Sequence, residues 1–256
     1  MDLQIKEQLF IVGGATSGFG KAIAQALLAE GAKIIAVARG QEKLEELYAS
    51  NPNAETVPGD ITQPAFTEAL KNKVGTRQLH GIVINAGGPP AKTVLETTIE
   101  DWDDAYQKIL RWKVSITQAF VPQMINKGYG RLLFIESSSV KQPIENLVLS
   151  NSLRLAVVGM VKTLSQEIAA SGVTLNVLGP GSHNTPAIDR LYQKKSEQTG
   201  LGFDAVKKNA VAQIPAGTLG NANDFAGLAL WLLSPQSSYI TGQTIVVDGG
   251  MIKATL

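Results

Sequence analysis

The chain has 256 residues, of which 44% are hydrophobic, and a formal net charge of +1 with its basic residues dispersed along the sequence. This length and apolar content suffice for one large α/β domain. The near-neutral charge, with its basic residues dispersed, excludes a concentrated basic surface of the kind that binds nucleic acid or an anionic membrane. With no cysteine and only two histidines, disulfides and thiolate metal sites are excluded, and we expect no metal centre.

The first residues, 1–6, lack the basic start and the continuous apolar core of a signal peptide. No later apolar run has the length needed to span a bilayer. We therefore expect a soluble, cytoplasmic protein that acts without a membrane or a nucleic acid partner.

Seven short apolar runs, separated by helical patterns, predict the strands of a sheet. They are residues 9–12, 33–38, 54–57, 81–85, 131–135, 174–178 and 244–247. Because their hydrophobicity is continuous rather than alternating, we expect strands buried on both faces, as in a parallel sheet covered by helices. The sequence thus predicts an α/β fold: a single doubly wound, Rossmann-type domain over residues 1–256 with a seven-stranded, mainly parallel sheet.

A glycine-rich loop joins the first predicted strand to an alanine-rich helical pattern at 21–30, with glycines spaced G-x-x-x-G-x-G. Such glycines permit positive φ and a close approach of backbone to phosphate, and the unpaired N–H groups of the following helix favour an anion. We expect this loop to bind a pyrophosphate, with a plain tight turn as the alternative. The residues assigned to it are Gly14, Thr16, Ser17, Gly18, Phe19 and Gly20.

The second predicted strand ends at Ala38 and Arg39, 19 residues beyond Gly20, where this kind of fold meets the adenosine ribose. A carboxylate there would bind the ribose 2′-hydroxyl and repel a phosphate. The sequence has no acid at this point and offers one guanidinium, which can bind a 2′-phosphate. This combination predicts NADP(H) rather than NAD(H).

Two further loops follow the third and fourth predicted strands. Asp60 and Ile61 come first, and the Asp60 carboxylate can accept a hydrogen bond from the adenine amino group. Asn85, Ala86 and Gly87 follow, and we expect them beside the nicotinamide half. Taken alone, each loop is equally compatible with a turn or a helix cap.

Residues 179–213 interrupt the regular alternation of strands and helices with a longer insertion. Segments that leave the carboxyl ends of strands line the ligand crevice of an open α/β sheet. We therefore interpret residues 182–212 as a substrate lid, with an ordinary solvent-facing pair of helices as the alternative.

Together these motifs resemble the short-chain dehydrogenase/reductase family over essentially the whole chain. The residues that carry the resemblance are Gly14-x-x-x-Gly18-x-Gly20, Asp60, Asn85-Ala86-Gly87, Pro180-Gly181-x-x-x-Thr185 and the ending Tyr239-Ile240-Thr241-Gly242-Gln243-x-x-x-Val247-Asp248-Gly249-Gly250. The resemblance implies a nicotinamide dinucleotide, a role for Pro180, Gly181 and Thr185 in binding it, and a homotetramer.

The family's catalytic residues match only in part. Its serine corresponds to Ser137, or to Ser138 after a one-residue slip, and its Tyr-x-x-x-Lys pair falls on Ser150 and Arg154, so the tyrosine is absent. The asparagine of its preceding long helix falls on Ile109. By resemblance, the catalytic candidates are Ser137, Ser150 and Arg154. The resemblance also implies that Arg154 binds the nicotinamide ribose, although its guanidinium cannot pass on a proton.

Three other side chains are weighed as replacements for the missing acid: Lys113, one turn from Ile109; His183, beside the expected nicotinamide carboxamide; and Tyr192, in the lid. The resulting interpretation is an NADP(H)-dependent oxidoreductase that moves hydride between nicotinamide and a small or medium, 3-oxoacyl-reductase-like carbonyl substrate. The alternatives are conjugate reduction of an enone C=C bond and a non-catalytic NADP-binding module.

Overall fold

The computed structural model describes residues 2–255 and contains one sheet of seven strands with the order β3-β2-β1-β4-β5-β6-β7. The strands are β1 (Leu9–Gly13), β2 (Lys33–Ala38), β3 (Ala54–Pro58), β4 (Gly81–Ile84), β5 (Gly130–Ile135), β6 (Val173–Pro180) and β7 (Thr244–Val247). Every neighbouring pair is parallel. The predicted doubly wound Rossmann-type domain is therefore confirmed, and its sheet is parallel throughout rather than mainly so.

Helices cover both faces of this sheet. They are α1 (Gly18–Ala29), α2 (Gln41–Tyr48), α3 (Phe66–Val74), α4 (Ile99–Tyr106), α5 (Trp112–Asn126), α6 (Val148–Glu167), α7 (Pro186–Thr199), α8 (Phe203–Val211) and α9 (Ala222–Leu233). A π-helical turn, Gln107–Arg111, joins α4 to α5. No helix within residues 2–255 combines the length and the apolar character needed to cross a bilayer.

Alternate residues of the central strand β1 enter two separate cores. Phe10 and Val12 pack with α1, α2 and α9, whereas Leu9 and Ile11 pack with α3, α5 and α6. Because successive strand side chains point to opposite faces, a continuous apolar run serves both layers at once. This is the physical reason that continuous hydrophobicity identifies these strands.

The structure moves some predicted boundaries. Helix α1 begins at Gly18, inside the glycine-rich loop, because Ser17 is extended and Gly18 turns the chain with a φ of +52°. The insertion contains α7 and α8, and Gly200 ends α7 in the left-handed conformation. The predicted interruption is thus a pair of helices placed after the carboxyl end of β6, and its first two residues, 179 and 180, belong to that strand.

Candidate active site

A cleft of about 790 Å³ opens at the carboxyl edge of the sheet, between the glycine-rich loop and the start of α7. In a doubly wound sheet this edge is where ligands bind, at the point where the strand order reverses between β1 and β4. Most of the residues predicted to hold the cofactor line it. They are Gly14, Thr16, Ser17, Gly18, Phe19, Arg39, Asp60, Ile61, Asn85, Ala86, Gly87, Arg154, Pro180 and Thr185.

The glycine-rich loop has the geometry of an anion cradle. Gly14 and Gly18 have positive φ values of +65° and +52°, and the Ser17 side chain makes no capping hydrogen bond to the first turn of α1. The amide N–H groups of that turn therefore remain available to a phosphate. Gly20 does not line the cleft; a Cβ at Gly20 would clash with the carbonyl oxygens of Gly13 and Gly14, so its role is close packing of α1 on the loop.

Two side chains hold this loop in place. Asn85 donates from Nδ2 to the carbonyl oxygen of Gly13 at 3.1 Å, and Tyr48 donates from its hydroxyl to the carbonyl oxygen of Ala15 at 2.6 Å. Burial raises the pKa of Tyr48 to about 12, so the phenol keeps the proton that it donates. Tyr48 was not predicted, and its only signal in the sequence is an apolar position on α2.

Arg39 and Asp60 lie at the adenosine end of the cleft. Arg39 is exposed and no hydrogen bond joins its guanidinium to any part of the chain from residue 2 to residue 255. Asp60 accepts from the Thr62 amide at 3.0 Å and from the Thr62 hydroxyl at 2.8 Å, both at Oδ1. Asp60 therefore stabilises a turn, which was the alternative interpretation of this loop, and it also lines the cleft.

The loop after β6 packs against the glycine-rich loop. A Cβ at Gly18 would lie 3.6 Å from Thr185 Cγ2, which places Thr185 over the start of α1. Gly181 does not line the cleft. It faces the C-terminal segment instead, where a Cβ at Gly181 would lie 2.6 Å from the Cβ of Asp248. The absence of a side chain at Gly181 thus allows the C-terminal segment to approach β6.

Of the candidate catalytic residues, Arg154 lines the cleft, whereas Ser150 and Ser137 do not. Arg154 donates from Nε to Ser150 Oγ at 3.0 Å and from Nη1 to Glu136 Oε2 at 2.9 Å. Lys113 Nζ pairs with the other carboxylate oxygen, Glu136 Oε1. The side chains of Lys113, Glu136 and Arg154 are 3%, 0% and 9% exposed, so the whole cluster is shielded from bulk water.

Charge in this cluster depends on Lys113. Burial lowers the pKa of Lys113 to about 8, and the neighbouring Glu136 opposes that effect while Arg154 adds to it. At neutral pH the ammonium is therefore largely retained. Within the described part of the chain, no group of three or more histidine, cysteine or acidic side chains has an arrangement that suits a metal ion.

The serines after β5 lie next to this cluster but behind the surface of the cleft. Ser137 Oγ accepts from the Ser139 amide at 3.1 Å and caps the short 3₁₀ turn Ser138–Val140. Ser138 is buried. Of the two alternatives, Ser137 is the less buried.

The two titratable alternatives, His183 and Tyr192, do not reach the cleft. The His183 ring is buried with its centroid 5.0 Å from that of Phe19 and 5.5 Å from that of Phe225. Tyr192 is buried against Phe203, with ring centroids 6.4 Å apart. In this conformation the cleft wall includes neither ring.

Sequence reasoning missed Glu136, which joins Lys113 to Arg154. The only local signal is a carboxylate directly after a buried apolar strand, Gly130–Ile135, in place of a small or apolar residue. Lys108, in the π-helical turn before α5, is another residue of the cleft wall that was not predicted.

Comparison with known proteins agrees with this geometry. A family model described as "Enoyl-(Acyl carrier protein) reductase" matches residues 14–252. The chain is 29% identical to the 3-oxoacyl-(acyl-carrier-protein) reductase FabG of Escherichia coli, covering 97% of this chain and 99% of the relative. It is 30% identical to the FabG of Thermotoga maritima, covering 98% and 100%.

Two solved structures share the fold and have informative ligands. L-sorbose reductase from Gluconobacter frateurii, complexed with NADPH and L-sorbose, is 25% identical with a TM-score of 0.92, covering 99% of this chain and 100% of that one. An actinorhodin polyketide ketoreductase with NADPH is 28% identical with a TM-score of 0.90, covering 96% and 97%.

Proposed function

The chain belongs to the short-chain dehydrogenase/reductase family of NAD(P)-dependent oxidoreductases, and we propose that it uses NADP(H) to interconvert a small or medium carbonyl compound and its alcohol, as 3-oxoacyl reductases do. The observation that carries this proposal is Arg154, which lies in the wall of a cleft bordered by the glycine-rich loop and donates a hydrogen bond to Ser150. We further propose that it works in the cytoplasm.

The residues of the cleft fit the nicotinamide dinucleotide. The start of α1 would hold the pyrophosphate, Arg39 the 2′-phosphate, and Asp60 the adenine, while Asn85 to Gly87 and Thr185 would flank the nicotinamide half. NADPH, when bound, supplies the hydride. The NADPH in the two solved structures supports the phosphorylated cofactor.

The chain's own contribution is hydrogen-bond donation to a substrate oxygen. Because a guanidinium only donates, Ser150 Oγ accepts the bond from Arg154 and its own proton remains free for a substrate oxygen. Ser137 is in the same situation, since its Oγ accepts from the Ser139 amide. Neither alcohol is an efficient acid at neutral pH, so we expect ordinary ketone reduction to lose about 10²–10⁴ of rate that a positioned acid supplies.

A second candidate reaction, conjugate reduction of an enone, is favoured by the chemistry of the cluster around Ser150. That cluster offers two cations and a carboxylate held between them. In conjugate reduction hydride adds at the β-carbon, the C=C pair shifts so that the carbonyl oxygen becomes an enolate oxygen, and water later protonates the α-carbon. Such an enolate needs donors rather than an acid at the moment of hydride transfer.

Two features of the surface support further parts of the proposal. Helix α7 contributes Pro186 and Arg190 to the cleft wall, and Lys194 Nζ donates to the carbonyl oxygen of Ala91 at 3.3 Å, which supports a lid over residues 182–212. Val94, Leu95 and Ile99, close together in the sequence, are 61%, 97% and 72% exposed, and this apolar segment favours a homotetramer that would cover it. Light scattering should return four copies of the 27.2 kDa chain, and a single copy at micromolar concentration would refute the assembly.

Stopped-flow measurement of NADPH oxidation with matched ketones and enones, with the products identified, tests the proposed reaction. We expect oxidation by at least one class, slowed in Ser137→Ala. Rapid ketone turnover that Ser137→Ala leaves undiminished would place the active site elsewhere. Tight NADPH binding without oxidation by either class would favour a non-catalytic binding module.

A further inference from the structure

The buried cluster has one more positive charge than an ion pair needs. Glu136 and Arg154 alone would be neutral, yet Lys113 reaches the second oxygen of the same carboxylate from α5. Two cations and one carboxylate leave one net positive charge away from bulk water. Because an uncompensated buried charge is unfavourable, its presence calls for an anion that approaches from the cleft.

The cluster faces the cleft on one side only. Glu136 and Arg154 are part of the cleft wall, whereas Lys113 lies behind Glu136. Arg154 Nη2 points toward the loop after β4, where it lies 3.2 Å from the position of a Cβ at Gly88. The net positive charge of the cluster is therefore presented to the cleft by the guanidinium of Arg154, while Lys113 lies on the far side of Glu136.

This arrangement cannot deliver a proton to Ser150. Arg154 stands between the carboxylate and the serine, and a guanidinium does not give up its proton in proteins. Both oxygens of Glu136 are already occupied by cations. The cluster therefore acts through fixed charge and orientation rather than through proton transfer.

We propose that Lys113, Glu136 and Arg154 form a cationic cluster that stabilises negative charge developing on a substrate oxygen held by Ser150. Glu136 is the positioning residue, because its bond to Nη1 fixes the guanidinium so that Nε meets Ser150 Oγ. Lys113 supplies the net charge. The inference rests on the proposed function only in placing the substrate oxygen at Ser150; it applies equally to an alkoxide and to an enolate.

Binding of 4-nitrophenol tests the cluster without turnover, because only the phenolate absorbs visible light and the bound pKa can be read directly. In the full-length protein, with and without NADP⁺, we expect the bound phenol to have a lower pKa than the free phenol. Lys113→Met should raise that bound pKa by about one unit, which is a tenfold loss of phenolate preference. The matched control is Lys127→Met, which removes an exposed cation from the end of the same helix and should change nothing.

A double variant separates charge from structure. Lys113→Met with Glu136→Gln leaves Arg154 as the single charge, so we expect phenolate preference to recover in part, which a merely structural role of Lys113 would not produce. If these variants do not fold, the unmodified protein suffices: its affinity for the phenolate should fall as the pH rises through about 8, where Lys113 loses its proton while facing Glu136 and Arg154.

Three results would overturn the proposal: no phenolate preference in the unmodified protein, the same bound pKa in Lys113→Met, or a phenolate affinity that does not change with pH. The outcome is independent of the proposed reaction. A phenolate effect without any NADPH oxidation would refute the reaction alone, whereas oxidation without a phenolate effect would refute the cluster alone.

Discussion

Arg154 donates a hydrogen bond from Nη1 to Glu136 Oε2 at 2.9 Å and thereby ties the first turns of α6 to the end of β5. The two residues are 18 positions apart in the sequence, and the carboxylate holds a second cation from α5. One buried acid thus fixes the positions of three elements at the floor of the cleft.

Removing that acid should destabilise the fold. Glu136→Gln leaves two buried cations facing each other, and breaking a buried ion pair costs about 3–5 kcal/mol. Urea unfolding should show a loss of this size, whereas the exposed Glu46→Gln on α2 should stay within about 0.5 kcal/mol. A loss below about 1 kcal/mol in Glu136→Gln would show that the carboxylate is not the centre of the cluster.

The lowered pKa of Lys113 predicts a pH dependence of stability. Between about 8 and the ordinary value of 10.5 the folded state binds fewer protons than the unfolded state, so the free energy of unfolding rises with pH across this window. Below pH 8 the unfavourable burial of the ammonium between Glu136 and Arg154 is fully present. In urea unfolding over this range, the free energy of unfolding of the unmodified protein should rise with pH relative to that of Lys113→Met; a constant difference would contradict the prediction.

Arg39 should set the cofactor preference. Its guanidinium can form charge-assisted bonds to a 2′-phosphate worth about 1.5–3 kcal/mol, so Arg39→Ala should weaken NADPH binding roughly tenfold to a hundredfold and leave NADH binding nearly unchanged. Calorimetry is the measurement. Lys33→Ala, which removes a cation from the other end of β2, is the control. An equal loss for both nucleotides in Arg39→Ala would refute the assignment.

Gly20 should tolerate no side chain. A Cβ there meets the backbone of Gly13 and Gly14, so Gly20→Ala should displace the loop and abolish tight NADPH binding. Gly159 on α6 has open space around its Cβ position, so Gly159→Ala should bind NADPH normally and gain up to about 1 kcal/mol of stability. Normal binding by Gly20→Ala, measured by calorimetry, would mean that α1 does not form the cradle.

The fold and the residues that line the cleft were largely predictable because their signals are local. A continuous apolar run marks each two-sided strand, and glycines mark each close approach at a strand end. The role of Glu136 was not predictable for the opposite reason. The role of Glu136 depends on its contacts with Lys113 and Arg154, which lie 23 and 18 residues away on two different helices.

His183 and Tyr192 show the same limit from the other side. Both are chemically suited to proton transfer, and both lie in the segment expected near the substrate. His183 packs against Phe19 and Phe225, and Tyr192 packs against Phe203. No sequence pattern links these residues to one another, so only the folded chain shows that the two rings pack away from the cleft wall. Residue type and position in the sequence could not show in which direction either side chain points.

We propose that Ser150 and the charges behind it stabilise a substrate oxygen, and single-turnover oxidation of bound NADPH in Ser150→Ala measures this stabilisation. The substrate is the ketone or enone that reacts fastest with the unmodified protein, and Ser152→Ala, an exposed serine on the same helix, is the control. We expect hydride transfer in Ser150→Ala to slow by about 10²–10³ with NADPH affinity unchanged, and no slowing in the control. Oxidation in Ser150→Ala at the unmodified rate would contradict the account.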